Sequence, residues 1–129
     1  MKKILIIDDD TLSLDISRGI LEDTYEVRTA ESGRAGFKVM EEFYPDLILL
    51  DYIMPEMNGI EFVEKLRAHP EWADIPVFML TADISDETEL ACLKAGVYDF
   101  LRKPFIREIM LLRIAHVLKT GELETRVNF

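Results

Sequence analysis

A single cysteine, Cys92, occurs in the whole sequence, so no internal disulfide can form, which suits a reducing compartment. Basic excess is lacking too: 15 lysines and arginines stand against 25 aspartates and glutamates, a net charge of −10. That balance argues against this segment gripping nucleic acid by itself, because phosphate backbones need a basic surface. Long apolar runs are missing. The N-terminal run, Ile4 to Ile7, stops at three aspartates and is far too short for a signal peptide or a membrane span. The expectation is a cytoplasmic protein with no membrane contact. The two histidines, His69 and His116, lack metal-ligand spacing and read as surface groups. Repeats and low-complexity tracts are absent, and nothing reads as a linker before about Thr120. One domain is expected over 1–120, with 121–129 a polar tail or the start of a linker to a downstream output domain.

What the sequence does contain is a steady alternation of apolar runs and helical periodicities. Lys3 to Ile7 reads as a buried strand, and about Leu12 to Leu21 as a helix. Tyr25 to Thr29 is a second strand and Gly33 to Phe43 a second helix, closed by Pro45, which bars α geometry at Tyr44. Leu47 to Leu50 is a third strand, and Gly59 to Ala68 resumes helical spacing. Pro76 opens a fourth strand, Val77 to Leu80, and Asp86 to Ala95 is a helix that Gly96 terminates. Val97 to Leu101 and Ile106 to Lys119 give a last strand and helix. Strands that are apolar throughout predict burial on both faces, hence a parallel sheet covered by helices. Repeated strand–helix units with right-handed crossovers predict an open doubly wound α/β sheet.

Open α/β sheets place their ligands beyond the carboxyl ends of the strands. There the first strand ends in Asp8, Asp9 and Asp10, and the third in Asp51. The fourth ends in Thr81 and Ala82, and the fifth runs into Lys103. If the first strand lies between the second and third, these side chains meet in one crevice. Carboxylates that close repel one another unless a cation is present, and a hard divalent ion such as Mg²⁺ relieves the repulsion with oxygen ligands. Lys103 adds a positive charge suited to a phosphoryl oxygen, and the Thr81 hydroxyl a neutral donor. Each residue alone has an ordinary reading as a turn, cap or surface group. Together they compose a site for transferring a phosphoryl group onto an aspartate.

The runs Ile4-Leu5-Ile6-Ile7-Asp8-Asp9-Asp10 and Asp46-Leu47-Ile48-Leu49-Leu50-Asp51-Tyr52-Ile53-Met54-Pro55 carry a family likeness. With Gly59, Leu80-Thr81-Ala82 and Lys103-Pro104-Phe105, they resemble the response-regulator receiver family in order and spacing, from Lys3 to about Lys119. The resemblance implies a flavodoxin-like sheet in the order 2-1-3-4-5. It implies that Asp51 is the phosphoacceptor, fed by a sensor histidine kinase or phosphotransfer protein, and that the chain is a signalling switch rather than an enzyme with its own substrate. Asp9 would be the direct Mg²⁺ ligand, Asp8 would hold a metal-bound water, and the Ile53 carbonyl and Asp51 would complete the set. Thr81 and Lys103 would contact the phosphoryl oxygens with the backbone N–H groups of Ile53 and Ala82. The resemblance also implies a cis Lys103–Pro104 bond. Phe100 takes the switch-aromatic position, where many relatives carry tyrosine, and Ile53 and Asp83 flank the approach of hydrolytic water. Asp99 and Arg113 match a charged pair that some relatives use in a dimer, although Glu89 stands where those relatives place a basic residue.

A rival reading is a haloacid-dehalogenase-like phosphatase, with Asp8 as nucleophile. Its Asp-x-Asp-Gly-Thr motif is approached by Asp8-Asp9-Asp10-Thr11, but the glycine is missing and the threonine comes one place early. Cys92 reads as small-residue core packing, and Trp72 as a cover for the core edge. The final helix is more apolar than one buried stripe requires: between Ile106 and Leu118 only Arg107, Glu108, Arg113 and His116 are polar. A second buried face is therefore expected around the fourth and last helices, against another copy or an output domain.

Overall fold

The computed structural model describes residues 1–82 and 84–119; Asp83 and the expected tail, 121–129, lie outside the described residues. Strands β1 (Lys3–Ile7), β2 (Glu26–Ala30), β3 (Leu47–Asp51), β4 (Val77–Thr81) and β5 (Asp99–Arg102) form one parallel sheet in the order β2-β1-β3-β4-β5. Between and after them run helices α1 (Thr11–Leu21), α2 (Gly33–Met40), α3 (Gly59–Arg67), α4 (Asp86–Ala95) and α5 (Arg107–Leu118). The expected topology is the one observed.

Side chains alternate across the sheet and divide the core in two. Leu5, Ile7, Ile48, Leu50, Val77 and Met79 pack toward Phe62, Leu66 and Cys92 of α3 and α4. Ile4, Ile6, Leu47, Leu49, Phe78 and Leu80 pack toward Leu14 and Leu21 of α1 and Met110 and Ile114 of α5. The three central strands are buried on both faces, each large side chain contributing about 1.5–3 kcal/mol. At the edge, β2 exposes Glu26 and Arg28, so its sequence alternates where the central strands do not.

Helix starts follow from local chemistry. Asp10, Ser32, Asn58 and Ser85 each accept a backbone N–H at the head of α1, α2, α3 and α4, and Asn58 with Glu61 forms a reciprocal capping box. Two expected boundaries differ by more than one residue. The second helix stops at Met40 instead of Phe43, because the Glu41 and Glu42 N–H groups turn to Lys38 O and Val39 O in a tighter closing turn. The fifth strand starts at Asp99 instead of Val97, because the Val97 N–H still closes α4 on Cys92 O. Cys92 and Trp72 are buried and both histidines exposed, as expected, although Trp72 Nε1 has no hydrogen-bond partner. Among the described residues no helix is long and apolar enough to cross a membrane.

Candidate functional site

The strand order carries Asp8, Asp51 and Lys103 to one end of the sheet. Asp51 is the last residue of β3, and Asp8 directly follows β1, its N–H reaching Ala30 O at 3.0 Å. Lys103 follows β5, its own N–H bonded to Thr81 O at 2.7 Å, and the Lys103–Pro104 bond is cis as expected. Carboxylate oxygens of Asp8, Asp9 and Asp51 all lie within 4.8 Å of one another. Asp8 is fully buried, Asp51 partly buried, and Asp9 exposed.

The buried Asp8 carboxylate is held from two sides. Its Oδ1 accepts the Asp10 N–H at 3.0 Å, and its Oδ2 accepts from Lys103 Nζ at 2.7 Å. Lys103 is 3.8 Å from Asp51 Oδ1, too long for a hydrogen bond. In this state, then, the lysine expected to meet a phosphoryl oxygen is paired with Asp8. Burial and the neighbouring Asp8 charge push the Asp51 carboxyl up to about 7, against an opposing pull from Lys103.

The run of three aspartates does not act as a unit. Asp10 Oδ1 accepts the Leu12 N–H at 3.0 Å and Oδ2 accepts the Ser13 hydroxyl at 3.1 Å, which withdraws the side chain into the cap of α1. The Ser13 hydroxyl and the Leu12 N–H hold its carboxyl below the usual range. Sequence reasoning counted Asp10 with the clustered carboxylates. The signal against that was Ser13 three residues on, at the head of a helix.

Around this centre, Thr81 is buried, Ala82 exposed, and Ile53 exposed at 73 % on the loop after β3. That loop is shaped by Glu56, whose φ of 68 lets the Met57 N–H reach Pro55 O at 2.8 Å. Gly59 starts α3 with its N–H on Tyr52 O at 2.9 Å; a Cβ there would stand 2.7 Å from Met79 Sδ. A groove of about 770 Å³ opens between α4 and α5, lined by Thr81, Phe100, Leu93, Ile106 and Ile109 among others. Phe100 is half-buried beside it. Arg113 Nη1 donates to Phe100 O at 2.8 Å and lies 3.6 Å from Asp99 Oδ1, so the Asp99–Arg113 pair forms within one chain. The expected apolar surplus is visible: Ile106, Ile109 and Leu112 stand exposed with Leu90 and Leu93 of α4.

The donor set fits a divalent cation. Three carboxylates against one lysine leave excess negative charge, and all the oxygens are hard. With Lys103 already on Asp8, the remaining repulsion is concentrated on Asp51.

Comparison with known proteins agrees. The response regulator receiver domain family matches residues 4–115. The chain is 38% identical over 120 residues to the DNA-binding dual master transcriptional regulator RpaA of Synechocystis, covering 92% of this chain and 50% of that protein. It spans about half, or less, of the length of the curated relatives it matches. The chemotaxis protein CheY4 of Vibrio cholerae superposes with a TM-score of 0.86 at 33% identity, over 91% of this chain and 98% of that one. The receiver domain of sensor histidine kinase PA1611 from Pseudomonas aeruginosa, solved with a magnesium ion coordinated in its active-site cleft, superposes with a TM-score of 0.83 at 25% identity, over 92% and 98% of the two chains. Nothing in these comparisons supports the phosphatase alternative, and the buried Asp8, already bonded to Lys103 and the Asp10 N–H, is poorly placed as a nucleophile. By family match and by fold alike, this chain belongs to the response regulator receiver domains of two-component signalling.

Proposed function

We propose that the chain is a phosphorylation switch in which Asp51 accepts a phosphoryl group from the phosphohistidine of a sensor histidine kinase or phosphotransfer protein. The convergence of Asp8, Asp9 and Asp51 within 4.8 Å beside Lys103 carries this reading. Asp51 ends the central strand and, unlike Asp8, accepts no hydrogen bond from Lys103. Its Oδ attacks phosphorus as the phosphorus–nitrogen bond to the donor histidine breaks, and the imidazole leaves with the electron pair and takes up a proton.

Asp8, Asp9, Asp51 and the Ile53 carbonyl would hold Mg²⁺, a reading supported by the likeness to a receiver solved with that ion. When bound, Mg²⁺ neutralises charge on the acidic cluster and on the phosphoryl oxygens. Lys103 moves from Asp8 to a phosphoryl oxygen, Thr81 donates its hydroxyl to another, and the N–H groups of Ile53 and Ala82 complete the cradle. As Thr81 shifts, Phe100 turns inward from the groove between α4 and α5, a bias of about 1–2 kcal/mol, typical of coupling between sites. The exposed apolar side chains of α4 and α5 then meet a second copy or an output domain. Residues 1–120 form the switch and 121–129 a tail or the start of a linker to an output domain, in the cytoplasm. The chain turns over only its own phosphoryl group.

The test is incubation with acetyl phosphate and Mg²⁺, followed by intact-mass and peptide mass spectrometry. One phosphoryl group on Asp51, lost in Asp51→Asn, is expected; an adduct on Asp8 would overturn the assignment. With the site loaded by beryllofluoride, NMR shifts at Phe100 and α5 are expected, and their absence would refute the route through Phe100.

A further inference from the structure

Helix α4 is secured very unequally along its length. Of its ten residues only Cys92 is buried, and none from Asp86 to Ala91 is. The C-terminal end is different. Gly96 takes φ 107 and donates its N–H to Leu93 O at 3.1 Å, while the Val97 N–H reaches Cys92 O at 3.0 Å. Val97 is buried, and the Tyr98 N–H joins Val77 O at 2.8 Å.

Arg67, the last residue of α3, holds that end from outside. Its Nη2 donates to Gly96 O at 2.8 Å, and its Nη1 donates to Ala73 O at 2.9 Å and Ile75 O at 2.7 Å. One rigid guanidinium thereby joins α3, the segment leading into β4, and the cap of α4. A lysine ammonium, a point charge on a flexible stem, has no such fork. Glycine is favoured here because φ is left-handed, and a Cβ on Gly96 would in addition stand 3.1 Å from Arg67 Nε, so the guanidinium would have to give by a few tenths of an ångström.

We infer that Arg67 is a positioning residue that anchors α4 at Gly96, making that end of the helix fixed and leaving the Ser85 end, beside Thr81 and Ala82, as the end that moves. The anchor goes beyond the phosphorylation proposed above and does not depend on it. It determines how a change at Thr81 is converted into displacement of the exposed Leu90 and Leu93: the helix swings about Gly96 instead of sliding along its axis.

Amide hydrogen exchange by NMR on the full chain, with neither metal nor phosphoryl donor, tests this separately from the chemistry of Asp51. In the wild type, Gly96 and Val97 are expected to be protected roughly 10-fold or more beyond Leu90 and Ala91, the factor that one charge-assisted hydrogen bond supplies. Arg67→Met keeps the apolar stem and loses all three bonds. Protection at Gly96, Val97 and Tyr98 should then fall roughly 10–100-fold more than at Ile6 and Leu49, whose amides report global stability. Gly96→Ala, strained at its left-handed φ whether or not Arg67 is bonded, calibrates the local loss that undoing this cap produces. Arg67→Lys should give a smaller one, and it carries the comparison if Arg67→Met fails to fold. An equal loss at Ile6 and Leu49, an unchanged Gly96 and Val97, or a wild-type helix protected uniformly from Leu90 to Val97 would each overturn the anchor.

Discussion

Lys103 Nζ stands 2.7 Å from Asp8 Oδ2 and 3.8 Å from Asp51 Oδ1, so the one hydrogen bond between this lysine and the acidic cluster belongs to the most buried carboxylate. Under the proposed function, in which Lys103 serves a phosphoryl group on Asp51, the lysine therefore has a prior partner to leave. Asp8 must find other compensation when it does, and a cation in the cluster provides it.

Removing the lysine should expose that dependence. Lys103→Met strands Asp8 in a buried position and is expected to cost about 3 kcal/mol at neutral pH without metal, in the range for breaking a buried ion pair. Mg²⁺ should restore part of the loss. Urea denaturation with and without Mg²⁺ checks it; midpoints unchanged from the wild type would mean that the pair contributes nothing.

Asp51 gives a pH dependence whose sign is fixed. Its folded carboxyl titrates at about 7, above its unfolded value near 3.8, so the folded state retains the proton more strongly. The stability this lends is present below the unfolded value and is lost as pH rises through about 7. Asp51→Asn removes the titration. Without metal at pH 8 the variant should be the more stable by about 1–3 kcal/mol, after discounting for water that reaches the carboxylate, and near pH 4 the two should coincide. Mg²⁺ should narrow or reverse the gap at pH 8, and its affinity for the wild type should rise with pH across neutrality. Equal stability at pH 8 would contradict the shift.

Asp10 should separate from its two neighbours on substitution. Asp10→Asn preserves a capping oxygen and is expected to leave Mg²⁺ affinity within about threefold of wild type, since Asn and Asp cap equally well. Asp10→Ala should loosen the start of α1 and, through the Asp10 N–H on Asp8, weaken the metal as well. Asp9→Asn should weaken binding far more than Asp10→Asn does. An NMR titration with Mg²⁺ in which Asp10→Asn behaves like Asp9→Asn would add Asp10 to the ligand set.

Gly59→Ala should be costly out of proportion to one methyl group. The added carbon meets Met79 Sδ at 2.7 Å and the Tyr52 Cα at 3.2 Å, and backbone cannot swing aside as a thioether can. A loss of about 1–3 kcal/mol is expected from overpacking, with slower labelling of Asp51 because Tyr52 is its neighbour. Unfolding and labelling rates measured together check both; a stable variant labelled at the normal rate would show that the loop has room.

The sequence made the fold legible because the central strands are apolar between their ends, the pattern of strands buried on both faces in a covered parallel sheet. That Asp8, Asp51, Thr81 and Lys103 come to one end of the sheet was legible for a related reason: each stands at or just past the end of an apolar run. What local pattern could not reveal was pairing. That Lys103 chooses Asp8 depends on how far β5 carries it across the sheet, and that Arg67 meets Gly96 depends on the packing of α3 beside α4. Asp10 misled because composition counts three carboxylates where geometry spends one on a helix start.

The division of the sheet into two faces sets a rule for how this chain can change over generations. Counting along the strands, Asp51 has the parity of Leu49, on the side of α1 and α5, while Thr81 has the parity of Met79, on the side of α3 and α4. The Asp51 carboxylate and the Thr81 hydroxyl thus belong to opposite layers and meet only at the rim. Inserting or deleting one residue within β3 or β4 would move the side chains beyond it from one core layer to the other and carry Asp51 or Thr81 to the wrong layer. Length variation is therefore confined to the loops, and descendants of this chain can diversify by substitution in the strands but not by changing their lengths there.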